Sequence, residues 1–421
     1  MPKADIPQLT GLRFVAAFSI LFLHAVYWCI PFTDTNAPKA IAGWIGVYGM
    51  PLFFVLSGFV IHYNYARLFG DQSYAAASRS FAVARFARIY PLYFFFFMFG
   101  STVDFTANWI SYAPDKFWDY FWHHLTLTQS WVYKISIHDR LLLSHGFGLA
   151  WSLSSEFFFY IAYAVFVFAI LRIRRTVTCL AWLAAFSLFA FALLTAGLVG
   201  FDALTSLAKE SLPVVLPGDE TQDASFYRWL FYLSPYGRIW EFVLGCLTAH
   251  LFLTMQNQPI LRRERTLAGL AFAVAMVFLL AFGGTYALII LRFDAVGPFN
   301  DPLAHVAPYI RFFALNFGCA VPLAVVIFYA ARYKSAFASL FATPLLVWLG
   351  DISYSIYAVH VWTLRPLIRP AVGVNTIYEM DAVLRVAIGI VFTIMVSFGT
   401  YTLIEQPCRR YLRNRLTARK A

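Results

Sequence analysis

Apolar residues concentrate in ten stretches of spanning length along the 421-residue chain, at 9–29, 42–63, 88–106, 147–171, 177–199, 228–250, 267–291, 308–331, 345–367 and 383–405. Each is long enough to cross the hydrocarbon of a bilayer as a helix, where backbone N–H and C=O groups must be satisfied inside the segment. No internal repeat, linker or low-complexity tract sets off a second domain. The pattern predicts an all-α polytopic membrane protein. It is a bundle of about ten transmembrane helices in a single membrane domain over residues 1–421, without an extracytoplasmic C-terminal domain. Gly283-Gly284 and Pro322 are the candidate interruptions, and no broken helix is otherwise evident.

Composition agrees: 61% of residues are hydrophobic, 19% aromatic and 13% charged. The net charge of +11 would suggest nucleic acid as a partner of a soluble protein. Here its distribution explains it. Arg67, Arg79, Arg85 and Arg88 lie in one connection; Arg172, Arg174 and Arg175 in another; then Arg262, Arg263 and Arg265, and Arg332 with Lys334. The tail adds Arg409, Arg410, Arg413, Arg415, Arg419 and Lys420. The alternate loops are neutral or acidic, most clearly Asp202 to Asp223 with Glu210, Asp219 and Glu220. The positive-inside rule therefore expects both termini in the cytoplasm, as an even number of spans requires. The five cysteines are scattered, without a Cys-x-x-Cys pair, so neither a disulfide framework nor a metal site is expected.

Ionisable residues inside apolar runs mark functional sites by default. Arg13 and His24 share the first run. Eleven positions at about 100° each come to about three turns, so both sit on one helix face, about 16 Å apart. Depth along the helices places Glu156, Arg238, Glu241 and His360 near the level of His24, so five groups from four helices are expected in one layer. Arg238 and Glu241, three apart, also fit a simple neutralising pair. Arg85 and Arg88 lie on one face at the expected start of the third span, where guanidinium groups suit phosphates or merely anchor the inner face. Residues 116–127 are rich in Trp, Tyr and Phe and predict an interfacial helix, either an aromatic belt or a platform for a sugar or lipid head; His123 and His124 fall within it.

Several ordered motifs coincide with those residues. They are Leu9-Thr-Gly-Leu-Arg13 followed by His24, Gly49-Met-Pro-Leu-Phe-Phe-Val-Leu-Ser-Gly-Phe59, Arg85-Phe-Ala-Arg-Ile-Tyr-Pro91, Trp151-Ser-Leu-Ser-Ser-Glu156, Ile352-Ser-Tyr-Ser-Ile-Tyr-Ala-Val-His360 and Ile404-Glu-Gln-Pro407. In this order they resemble the integral-membrane acyltransferase-3 family, whose members acylate cell-surface sugars and other hydroxyl compounds. Gln406, where relatives often have Arg, and Phe157, where a second acid is common, depart from the pattern.

The resemblance implies a membrane O-acyltransferase of the bacterial cytoplasmic (inner) membrane. The expected donor is acyl-CoA, with acetyl-CoA foremost, and no permanently bound cofactor or metal is expected. The expected acceptor is a sugar or glycolipid hydroxyl. Arg13, Arg85 and Arg88 are assigned to the donor, and His24 to general base catalysis, for which an imidazole titrating at about 6.5 is suited. Glu156, Glu241 and His360 are the other candidate catalytic residues, the carboxylates being candidates to hold the ring of His24. Trp151 and Arg238 are assigned to the acceptor. An acyl group carried on His24 remains open beside direct transfer. So does a proton-coupled secondary transporter, which would use the same intramembrane residues.

Overall fold

A computed structural model describes residues 5–30, 36–104, 114–135, 141–144, 148–218, 222, 224–296, 306–367 and 379–417. In chain order the helices are α1 (Pro7–Cys29), α2 (Ala37–Gly46), α3 (Gly49–Asp71), α4 (Tyr74–Asp104), α5 (Pro114–Leu125), α6 (Trp151–Leu171), α7 (Thr176–Val199), α8 (Phe201–Ser211), α9 (Phe226–Arg228), α10 (Pro235–Met255), α11 (Arg262–Val296), α12 (Ala307–Leu315), α13 (Ala320–Arg332), α14 (Ala336–Phe341), α15 (Pro344–Asp351), α16 (Ser353–Leu364), α17 (Glu379–Thr400) and α18 (Gln406–Thr417). Among the described residues no strand occurs, only an isolated bridge between Ile135 and Leu141. Asp219, Glu220, Asp223, Arg419 and Lys420, which enter the charge argument, lie outside the described residues.

Among the described residues, eight continuous helical segments are long and apolar enough to cross a membrane. The other two expected stretches are helix pairs bent at a break. Ala307–Leu315 and Phe317–Arg332 meet at 76°, and Pro344–Asp351 and Ser353–Leu364 at 65°. This corrects the expectation of unbroken helices. The first break falls at Asn316, whose backbone (φ −124°, ψ −138°) is not helical, and Pro322 lies just beyond it, near the start of α13. Gly283 and Gly284, by contrast, sit inside the continuous α11. The third span also begins earlier than its apolar run: α4 starts at Tyr74, so Arg85 and Arg88 lie within the helix rather than at its start.

The chain groups into two compact units, residues 1–57 with 252–403, and residues 58–251 with 404–421. In the first, α1 is central and packs against α2, α13, α14, α15, α16 and α17. Glycine makes the approach possible. A methyl group at Gly11 would collide with the carbonyl of Phe341, and one at Gly350 with the carbonyl of Thr10. Around these contacts lies a core of Ala17, Leu21, Ala25, Ile352, Ile356 and Leu364.

Contacts at one end of this unit fix the course of the broken spans. Gln8, at the start of α1, donates to the carbonyl of Ala330 near the end of α13 (2.9 Å). Arg332, two residues on, pairs with Glu264 at the start of α11 (2.6 Å). Tyr333 donates to the same carboxylate (2.7 Å); burial first, and then Glu264, push this phenol up to about 12. The α12–α13 pair therefore ends at the level where α11 began, as a returning span does. The end of α15 lies beside Thr10, where Gly350 meets its carbonyl, and α16 runs on from there alongside α1 to bring His360 to His24.

In the second unit α4 packs on α5, α6 and α18, and α7 on α8. Gly58 of the Leu-Ser-Gly-Phe motif allows α3 to touch α10, because a side chain there would strike the carbonyl of Phe242. The helix α5 is amphipathic: Trp118 and Trp122 are exposed, while Tyr120 and His124 are buried. The helix expected over this stretch is thus present, with the two-sided pattern that an interfacial helix has.

Candidate functional site

In the first unit the structure brings His24 of α1 against His360 of α16. Nδ1 of His24 lies 2.9 Å from Nε2 of His360. Nδ1 of His360 lies 2.7 Å from the carbonyl oxygen of Tyr357, one turn back in its own helix. The two rings are within 9° of parallel, and Trp28, one turn along α1, lies flat on His24 at 4.6 Å between centroids and 2° between planes. His360 is wholly buried. Thr363 ties α16 to α17 through Thr393 (2.7 Å), which holds the segment carrying His360. Nδ1 of His24 is thus held by a second imidazole, that of His360. Arg13 is half-buried on the same helix.

Glu156, Arg85, Arg238 and Glu241 belong to the second unit. Tyr160 donates to Oε1 of Glu156 (2.6 Å), and this explains why the carboxylate tolerates its burial. Arg85 donates to the hydroxyl of Tyr65 (2.7 Å), and its guanidinium carbon lies 4.9 Å from the Tyr65 ring and 5.9 Å from the Tyr160 ring. Its Nε is buried and has no hydrogen-bond partner among the described residues. Arg88 is half-buried three residues on.

Arg238 and Glu241 form an ion pair (3.0 Å) with exposures of 0% and 1%, which is the neutralising pair their spacing allowed. Arg238 also stands 5.4 Å from the ring of Tyr232, which in turn packs on Trp151 at 5.0 Å. Tyr232 sits in a π-helical turn, Trp229–Leu233, just before α10. Such bulges frequently occur at functional sites. The apolar run containing Tyr232 shows no sign of the π turn in its sequence.

The serines of Trp-Ser-Leu-Ser-Ser-Glu are scaffolding. Ser130 donates to Ser154 (2.9 Å), Ser154 to the carbonyl of Leu127 (2.7 Å), and Trp131 to the carbonyl of Ser154 (3.0 Å). Together they clamp the turn at Leu127, the one non-glycine residue with positive φ (56°) among the described residues. Ser152 donates to the carbonyl of Leu149 (3.3 Å).

Sequence reasoning missed a second histidine pair, His62 of α3 and His250 of α10, with ring nitrogens 3.0 Å apart. His250 Nε2 donates to the carbonyl of Ile173 (2.6 Å), and Tyr163 caps the other end at 3.3 Å. This chain joins three helices and closes on a carbonyl at one end and a hydroxyl at the other. Two histidines near the ends of apolar runs were the available signal. His123, at the end of α5, contacts Thr128 (3.1 Å); burial, with help from Lys134 and against Asp119, pulls its imidazole below the usual range.

Comparison with known proteins places this architecture. Residues 6–402 match the family model described as an acyltransferase domain. The chain is 26% identical over 421 residues to the acyltransferase MdmB of Streptomyces mycarofaciens, covering 97% of this chain and 93% of that relative. No solved structure gives a significant match.

Proposed function

The chain belongs to this acyltransferase family, and from that premise we propose that it is an O-acyltransferase moving an acyl group from acyl-CoA, acetyl-CoA foremost, to a hydroxyl of an envelope or secreted glycan. It is a multi-pass membrane enzyme with an acyl donor and an acceptor. The proposed setting is the bacterial cytoplasmic membrane, with the donor arriving from the cytosol and the acceptor from the opposite side.

The observation that carries the chemistry is the His24–His360 pair within an apolar unit. In the proposed step His24 accepts the proton of the acceptor hydroxyl as that oxygen attacks the thioester carbonyl. The C–S bond breaks, and the departing thiolate takes the proton back from His24. Arg85 and Arg88 are assigned to the phosphates of the donor. The buried, unsatisfied Nε–H of Arg85 supports an anionic partner there. Arg13 is assigned to the donor as well. Trp151 keeps its assignment to the acceptor, whereas Arg238 is assigned to neutralising Glu241, since both are buried in one ion pair.

The two broken spans are a feature of secondary transporters too. Membranes given labelled acetyl-CoA separate the readings, because an acyltransferase labels its acceptor without any ion gradient. In the same assay His24→Ala should lower transfer by about 10²–10⁴-fold. Membrane insertion should be unchanged. Transfer at the wild-type rate by that variant removes His24 from the chemistry.

A further inference from the structure

The hydrogen-bond chain in the first unit begins on an atom that only accepts, the carbonyl oxygen of Tyr357. The nitrogen facing it, Nδ1 of His360, must therefore carry a proton. In a neutral imidazole the other nitrogen is then an acceptor, so Nε2 of His360 holds a lone pair. That lone pair faces Nδ1 of His24 at 2.9 Å, so Nδ1 of His24 must be protonated and donate. With both rings neutral, the unprotonated nitrogen of His24 is Nε2. One backbone carbonyl thus fixes the proton order across two rings. The near-parallel planes (9°) suit an in-plane N–H···N bond, and the flat contact with Trp28 opposes rotation of the His24 ring.

We infer that His360 is a positioning residue that sets the tautomer of His24 and makes Nε2 of His24 the nitrogen that receives the acceptor proton. This rests on the reading of His24 as the base. His360 then takes the part a carboxylate plays toward histidine in a hydrolytic triad, holding the ring and one tautomer. A neutral imidazole performs it without adding a charge to an apolar site, where an unpaired carboxylate is expensive. When Nε2 takes the proton, the Nδ1–H bond to His360 becomes charge-assisted and strengthens, so the helper favours the protonated state that forms during transfer.

The test combines a direct reading of the proton with kinetics. Protein labelled with ¹⁵N-histidine in lipid nanodiscs gives nitrogen shifts that distinguish protonated from unprotonated ring nitrogens, and His24→Ala identifies the His24 signals. The wild type should show Nδ1–H and bare Nε2 at His24. In His360→Leu the His24 ring should shift towards the other tautomer, and kcat should fall by about 10²–10⁴-fold with the donor KM unchanged. His360→Gln, which keeps an acceptor oxygen, should recover most of the loss. Three results overturn the inference: a protonated Nε2 on His24 in the wild type, a wild-type kcat in His360→Leu, or His360→Gln as poor as His360→Leu. If His24→Ala is inactive while His360→Leu is fully active, only the tautomer assignment fails and the base reading stands. An active His24→Ala removes both.

Discussion

Tyr160 is the hinge of the charge balance around Glu156 and Arg85. Its hydroxyl is given to the carboxylate and its ring faces the guanidinium, so one side chain serves both signs of charge. Inside an apolar helix bundle each of those charges is tolerable only with such compensation. Removing the hydroxyl in Tyr160→Phe leaves Glu156 without that donor and disturbs the wall of Arg85 while preserving shape. Lost hydrogen bonds to charged buried groups are worth about 1.5–3 kcal/mol. The variant should therefore melt lower in detergent and show a raised donor KM, as a milder form of Arg85→Ala. A lower melting temperature with an unchanged donor KM in both variants would confine Arg85 to a structural role. None of this was legible from residue types alone. Arg85 and Glu156 stood out because charge is rare in apolar runs, whereas Tyr160 was one of 24 tyrosines and its role depends on packing.

At the level of helices, hydropathy located the eight continuous and two bent segments that are long and apolar enough to cross among the described residues, because the bilayer dictates length and apolarity. It could not show the two breaks. A bend inside protein keeps its apolar residues, and the backbone groups it frees are satisfied by neighbours that hydropathy does not register. Nor did it reveal why particular glycines stand where they do. Gly11 sits between Thr10, whose carbonyl receives Gly350, and the face that meets Phe341, so α1, α14 and α15 close upon one another through hydrogen atoms alone. Gly11→Ala places a methyl group against backbone oxygen, which cannot rotate away, so the helices must separate. Overpacking of this kind costs about 1–3 kcal/mol. The variant should lose thermal stability in a fluorescence-detected size-exclusion assay by more than Gly269→Ala, where no atom lies near the new methyl. Equal melting temperatures for the two would mean that α1 does not depend on this contact.

For the molecule as a whole, the basic connections and the helix ends tell one story. The start of α1, the start of α11 and the end of α13 meet at one level, joined by Gln8, Ala330, Glu264 and Arg332. Arg262, Arg263, Arg265 and Lys334 belong to the same level by chain continuity, so the positive charge that orients the protein gathers at one end of this unit. The return of Arg332 to Glu264, at the start of α11, is the contact a crossing α12–α13 pair makes. Ten crossings, each bent pair counted as one span, predict that the two termini share one side, and eight predict the same. A fluorescent protein fused after Ala421 should mature in the cytoplasm, and one fused at the N-terminus should do likewise. Alkaline phosphatase inserted within α8, which the charge rule assigns to the outer side, should be active, and the same enzyme inserted beside Arg174 should be silent. Active phosphatase at Arg174, or a dark C-terminal fusion with a bright N-terminal one, would show that the charge rule has been applied with the wrong sign or that one broken pair turns back, and would detach the inner basic surface from any cytosolic acyl donor.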